Sequence, residues 1–230
     1  YVTGLKNDKN DARGIYTALV MGVREVPVKS AAIRDLALLQ TMRTKRQREK
    51  VAKINHIRGI LTEYGLVMGK SVNAFLAKAG SLIVELKERA DVSPYIVSEL
   101  TALFHEVKEA MAKIKELETS IESIAKTLKQ YELFRSAPGV GPITAATMLV
   151  LLCNPEAFKN GREFAAYIGL APKSTGSGGK NVVTHIPKKY ECNNEVRALL
   201  VQCAHAICRG KHKSDWVSSI LARKPKKVAI

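Results

Sequence analysis

SPYIVSELTALFHEVKEAMAKIKELETSIESIAKTLKQY, residues 93–131, carries the clearest pattern in the chain. Ser93 offers the side-chain oxygen of a helix cap, and Pro94 suits the first helical position, where its missing N–H costs nothing. From there the apolar residues step by three and four: Leu100, Phe104, Val107, Met111, Ile114, Leu117, Ile121, Ile124, Leu128 and Tyr131. A step alternating three and four keeps one stripe on one side of a helix, the seam of a coiled coil. The spacing therefore predicts one helix from Pro94 to Gln130. Glu and Lys nearly balance on its other faces, which suits pairing with protein rather than with a polyanion. The partner is open: an antiparallel hairpin with the helix of residues 30–63 and a dimer fit the pattern equally, and both can hold.

Working outward toward the N-terminus, residues 30–63 predict a second long helix. Ile33, Leu36, Leu39 and Met42 begin its stripe, and Ile54, Ile57, Ile60 and Leu61 resume it. Between the two lies RTKRQREKVAK, residues 43–53, which is strongly basic. EYGLVMGKS then breaks the helix at Gly65 and Gly69, and another helical stretch follows from about Val72 to Ala90. Near the start, LKNDKNDARGIYTALVMG reads as a polar turn and a short helix that Asn10 or Asp11 could cap. A helix this short does not fold alone, so residues 1–27 are expected to be the tail of a domain lying upstream. Asp8 and Asp11 stand three apart at its start and so on one face. Carboxylates so placed can share Mg²⁺, but a solvated turn with a cap accounts for them equally simply.

Toward the C-terminus, residues 131–230 read as a separate compact domain, giving a mainly α chain divided at 1–27, 28–130 and 131–230. SAPGVGPITAATMLVLL, residues 136–152, has the pattern of a helix-hairpin-helix. Gly139 and Gly141 permit a tight turn, and Pro142 opens an apolar, small-residue helix. Such a hairpin can present backbone N–H groups to a phosphate without reading bases; the plain alternative is an ordinary helix turn. Farther on, GLAPKSTGSGGKNVVTHIPKK places Ser177 between Gly176 and Gly178-Gly179, with Lys180 next. A serine there could attack a phosphodiester with Lys180 neutralising an oxygen, although a hydroxyl needs a base or a metal to activate it. From spacing alone, a Ser/Gly-rich surface loop is the simpler reading.

Charge narrows the partner. Lys and Arg number 37 against 21 Asp and Glu, a net charge of +16, and so large an excess draws polyanions. Aromatics make up 6% of residues and no apolar run reaches membrane-spanning length, so a membrane partner lacks its usual anchors. Arg43, Lys45, Arg46, Arg48 and Lys53 are the candidates for backbone contact with nucleic acid, and Gly139, Gly141 and Lys180 for holding DNA phosphate. Of the cysteines, Cys153, Cys192, Cys203 and Cys208, none forms a CxxC pair. Cys203 and Cys208, five apart on one helix, point in different directions, so buried reduced thiols fit better than a metal site with His205 and His212. Trp216 is expected to anchor a C-terminal helix, Tyr167 to lie in the core, and His185 to pack or be solvated.

These residues together resemble the DEDD-type insertion-sequence transposases, the bridge-RNA-guided serine recombinases, over nearly the whole chain. Asp8 and Asp11 with DARGIY look like the last two acids of that family's RuvC-like nuclease motif and the helix after them. VREVPVKS followed by HIRGILTEYGLVMGKS resembles its coiled-coil segment, and PGVGPITAATML, FAAYIGLAPK and SGGK resemble its transposase domain. The resemblance implies that residues 1–27 are the C-terminal remnant of a RuvC-like α/β domain. It implies that Ser177 is the nucleophile and that Asp8 and Asp11 bind Mg²⁺ in a composite catalytic site with it. It implies a structured guide RNA, a homo-oligomer (dimer or tetramer) that joins two DNAs, and a prokaryotic, cytoplasmic, nucleoid-associated protein. The family's first Asp and its Glu are not in the chain, YECNNEVRALL stands where a glycine usually follows HIPKK, and the chain ends at KPKKVAI. The expectation is a fragment cut at both ends and inactive alone. The alternative is a non-enzymatic helix-hairpin-helix nucleic-acid-binding protein, and a third reading is a coiled-coil interaction protein with incidental charge.

Overall fold

A computed structural model describes residues 7–22, 28–172, 174–177, 180–183, 193–210 and 213–229. The chain is mainly helical and divides into two compact units, Tyr1–Ser30 and Ala31–Ile230. The first unit holds α1, Asp8–Val20. Its cap is Asn7, not the expected Asn10 or Asp11: the Asn7 side chain accepts the Asn10 N–H at 2.8 Å, which starts the helix one turn earlier and puts both acids inside it.

The second unit is built on two helices of 33 residues each, α2 (Ala31–Glu63) and α4 (Pro94–Lys126), with α3 (Val72–Lys87) between them in sequence. Each long helix is about 50 Å from end to end. They run antiparallel: Arg43 of α2 pairs with Glu118 of α4, and ten residues later Lys53 pairs with Glu106. The partner of the apolar seam is therefore α2 of the same chain. Leu100, Val107, Ile114 and Ile121 are buried at successive seven-residue steps along α4.

Element boundaries follow local chemistry. Ser93 caps α4 through the Tyr95 N–H, with Pro94 in the first turn as expected. Gly65, at φ 76°, ends α2: the Leu66 N–H reaches the Leu61 carbonyl and the Gly65 N–H the Thr62 carbonyl, both at 2.9 Å. α4 stops at Lys126 rather than continuing to Gln130. The Thr127 hydroxyl donates to the Ile124 carbonyl at 2.7 Å and the chain turns, so Tyr131 opens a new helix, α5 (Tyr131–Ser136), instead of extending the seam.

Two apolar cores lie along the long pair. One gathers Ile54, Ile57 and Leu61 of α2, Phe75, Ala79, Ile83 and Leu86 of α3, and Leu100 and Val107 of α4. The other gathers Ile33 and Leu36 of α2, Ile121 and Ala125 of α4, Tyr131 of α5, and Ala145, Ala146 and Leu149 of α6 (Pro142–Leu151). The segments read from the sequence as 28–130 and 131–230 thus share this second core. The alanines make it so, because small side chains let α6 lie close against both long helices.

The rest of the unit follows α6: α7 (Gly161–Tyr167), strands β1 (Ser174–Ser177) and β2 (Lys180–Val183), α8 (Asn194–Arg209), α9 (Asp215–Arg223) and α10 (Lys226–Ala229). Two sequence expectations fail here. Tyr167 is half exposed, its ring set against Phe158 at 5.3 Å, and Trp216 is 71% exposed instead of anchoring α9. No described helix is long and apolar enough to cross a membrane.

Candidate nucleic-acid interface

The turn between α5 and α6 is tight because Gly139 adopts φ 77°. It needs glycine for a second reason as well. A Cβ there would lie 2.7 Å from the Cys203 carbonyl oxygen and 2.7 Å from Ile207 Cγ1, both on α8. Gly141 differs: its φ of −83° is ordinary extended backbone and a Cβ added there would meet nothing within 4 Å, so other residues fit. The Arg135 guanidinium donates to the Val140 carbonyl and braces the turn. No side chain caps α6, so its first N–H groups carry the partial positive charge of a helix N-terminus. Behind the turn the Cys203 thiol, buried, donates to the buried Thr144 hydroxyl at 3.7 Å.

Ser177 lies in a β-hairpin rather than in an irregular loop. β1 and β2 pair antiparallel with Ser174 opposite Val183 and Ser177 opposite Lys180. Ser177 and Lys180 are thus the pair that closes the hairpin, the tightest connection an antiparallel ladder allows. Gly178, Gly179, His185 and Cys192, with the rest of the THIPKKYEC run, fall outside the described residues.

Asp8 and Asp11 both lie in the first turn of α1, Asp8 exposed and Asp11 half-buried. That turn belongs to the first unit and Ser177 to the second. Among the described residues, no three His, Cys, Asp or Glu side chains gather as a metal site would require.

The basic stretch of α2 sorts into two groups. Arg43 sends Nε and Nη2 to the same Glu118 oxygen at 2.8 and 2.6 Å, and the Lys53 ammonium meets Glu106 at 2.5 Å. Both cations are engaged in joining α2 to α4. Arg58 is also structural: its Nη2 donates to the carbonyls of Gly69, Lys70 and Ser71 at 2.9–3.1 Å, with its guanidinium over the Phe75 ring. Lys45, 79% exposed at its side chain, only approaches Glu49 at 4.0 Å, while Arg46 and Arg48 are exposed. The outward charge therefore comes from Lys45, Arg46 and Arg48.

Beside Arg48 opens a cleft of about 610 Å³ between α2, α6 and α8. Val51, Ile143 and Leu199 give it apolar walls, and Gln40, Gln47 and Gln202 add amides. The Gln40 Nε2 is buried there with no hydrogen-bond acceptor among the described residues. Across the cleft the Thr44 hydroxyl donates to Glu195 at 2.7 Å. Sequence reasoning missed this site because its residues are far apart along the chain, Thr44 and Glu195 by 151 positions. The one available signal was Asn193, whose side chain accepts the Val196 N–H at 3.3 Å and so fixes where α8 begins and where Glu195 falls.

The chain is similar to known proteins both in part and over nearly its whole length. Residues 131–218 match the family described as Transposase IS116/IS110/IS902 family. Over 97% of its length the chain is 30% identical to the transposase for insertion sequence element IS1111A of Coxiella burnetii, and covers 62% of that protein. Over 97% of its length it is also 27% identical to the transposase for insertion sequence element IS1328 of Yersinia enterocolitica, and covers 66% of it. The chain thus spans less than two thirds of either relative.

Proposed function

We propose, for a chain whose residues 131–218 match the transposase IS116/IS110/IS902 family, that it works in the cutting and rejoining of DNA by an insertion-sequence transposase. One observation carries this reading: the family match covers the segment in which the α5–α6 turn, the hairpin of Ser177 and Lys180, and α8 occur together. In the proposed reaction the Ser177 hydroxyl oxygen attacks a phosphodiester phosphorus. The P–O bond to one DNA strand breaks, the leaving strand oxygen takes up a proton, and the other strand stays bonded to the serine. Attack by a strand hydroxyl of the second DNA reverses the step and frees the serine, so no bond energy is lost between cutting and joining.

Residues of the chain take the other roles. Lys180, opposite Ser177 in the ladder, neutralises a phosphate oxygen. The α6 N-terminus, opened by Gly139 and Gly141, holds a neighbouring phosphate through backbone N–H groups. Asp8 and Asp11 offer hard carboxylate oxygens, one exposed and one half-buried, which suit Mg²⁺ and fit it as two of its ligands. When bound, Mg²⁺ supplies Lewis-acid polarisation of phosphate and hydroxyl oxygens. These acids belong to the RuvC-like part of the reading and Ser177 to the transposase domain, joined by the coiled-coil pair α2 and α4. A structured guide RNA and a homo-oligomer that brings two DNAs together complete the proposal, with Lys45, Arg46 and Arg48 on the nucleic-acid backbone.

Ser177→Ala in the full-length protein tests it. Strand joining and the denaturant-resistant protein–DNA adduct should both disappear while DNA binding persists. A variant that still forms the adduct would remove Ser177 from the reaction.

A further inference from the structure

The only tryptophan of the chain is badly placed for a core residue. Ser214 caps α9 through the Val217 N–H at 3.3 Å, and Val217, Ile220 and Leu221 give the helix a half-buried side. Trp216 stands about 100° away from Val217 around the helix, at the edge of that side, and remains 71% exposed. Among the described residues, no ring or cation packs on the indole. The indole thus leaves an aromatic face open to water, free to stack on a flat partner.

The surroundings identify its chemistry. From Arg209 to Lys227 the basic residues are Arg209, Lys211, Lys213, Arg223, Lys224, Lys226 and Lys227, against the single acid Asp215. Arg223 lies seven residues beyond Trp216, two helical turns along the same face. Its Nε donates to the Ser219 carbonyl at 3.3 Å, and the Ser219 hydroxyl donates to the Trp216 carbonyl at 2.8 Å, which holds the arginine along the helix. The centres of protein–protein interfaces are depleted in lysine, so a lysine-rich run of sequence on either side of one aromatic argues for a polyanion rather than a protein partner. An exposed aromatic within a basic segment is what single-stranded nucleic acid requires: a face for a base and charges for the phosphates beside it.

We infer that Trp216 is a stacking platform for an unpaired nucleobase, with Arg223 and the lysines of residues 224–227 taking the adjoining phosphates. The inference rests on the reading of the chain as a nucleic-acid-processing protein and adds a contact for single strands, separate from Ser177 and from α2. Unpaired DNA opened at a cleavage site and the loops of an RNA present the same base face.

The single tryptophan makes the chain its own reporter. Its fluorescence is followed while single-stranded oligothymidylate, the ribose equivalent oligouridylate, and a DNA duplex of equal length are titrated in. The free protein should emit as a water-exposed indole. Either single strand should quench it, and the more strongly quenching one identifies DNA or RNA as the ligand. By anisotropy with labelled oligonucleotides, W216A should bind the single strand about 5- to 150-fold more weakly, and duplex binding should be unchanged. W216F should recover most of the loss. Emission of a buried indole in the free protein would overturn the inference and mean that protein covers the ring, and a blue shift with protein concentration would assign the cover to a second copy. Duplex binding with a silent tryptophan would overturn this inference alone, whereas failure to bind any of the three would overturn the reading beneath it.

Discussion

Gly139→Ala should damage the protein far more than Gly141→Ala, although the two glycines share one turn. At Gly139 the alanine must first adopt a left-handed backbone, φ 77°, which costs an L residue about 1–2 kcal/mol. Its Cβ then meets the Cys203 carbonyl oxygen and Ile207 Cγ1 at 2.7 Å. The carbonyl belongs to α8 and cannot swing aside as a flexible side chain would. Restoring ordinary contact at about 3.5 Å means separating the turn from α8 by roughly 0.8 Å, and overpacking of this kind costs about 1–3 kcal/mol. Together the two effects reach about 2–5 kcal/mol, or about 4–20 °C in melting temperature for a chain of this size. At Gly141 the φ of −83° is ordinary and the space is open, so alanine should shift stability by less than about 1 kcal/mol. Thermal unfolding followed by far-UV circular dichroism, with both variants beside the parent, measures the difference. Equal melting temperatures would refute the argument that Gly139 is required by its packing on α8. A Gly139→Ala protein that melts normally but loses DNA binding would instead make it a phosphate-approach glycine.

Other consequences can be checked separately. Arg43→Ala and Glu118→Ala, combined in a double-mutant cycle, should give a coupling of about 1 kcal/mol, since the pair is only partly shielded from water. Replacing both Arg46 and Arg48 with alanine should flatten the salt dependence of duplex binding by about 1–2 units in log K against log salt, while Arg43→Ala should leave the slope unchanged because that charge is already engaged. Asp91 accepts Arg89 Nε and Nη2 at 2.9 and 2.6 Å, which holds its carboxyl below the ordinary range, while Arg89 Nη1 donates to the Tyr64 carbonyl. A depressed carboxylate adds stability above its unfolded pKa and loses it as pH falls through the folded value. Acid titration of unfolding should therefore show Asp91→Asn less stable than the parent near neutrality, with the gap closing at low pH.

The long helices were legible because each rule acts locally. Ser93 and Pro94 start α4, Gly65 stops α2, and the seven-residue step names the buried side. What periodicity could not supply was the partner, because a stripe describes a face and not what covers it. The antiparallel fit of α2 on α4 is recorded in charges 75 and 53 residues apart, Arg43 with Glu118 and Lys53 with Glu106, and no short window contains both members. For the same reason these cations looked free for nucleic acid when read along the chain. Tyr131 kept the heptad step and yet left the helix, since Thr127 turns the backbone before it. At the candidate site, the serine, its glycines and Lys180 stood out as a cluster, but a pair of four-residue strands is too short to announce itself as a hairpin. The cleft was invisible because α2, α6 and α8 each supply only one side of it.

The long pair has a mechanical consequence. α2 and α4 are shared by both cores, with α3 clamped near one end and α5 and α6 near the other. Hydrogen-bonded helices resist stretching, so a pair fastened this way behaves as a stiff rod with a grip at each end. Twisting α3 about the rod would deliver torque to α6 and the turn before it across most of the rod's length. The cleft lies where α6 and α8 meet the rod, so whatever fills it tightens that grip and sets how faithfully motion at one end reaches the other.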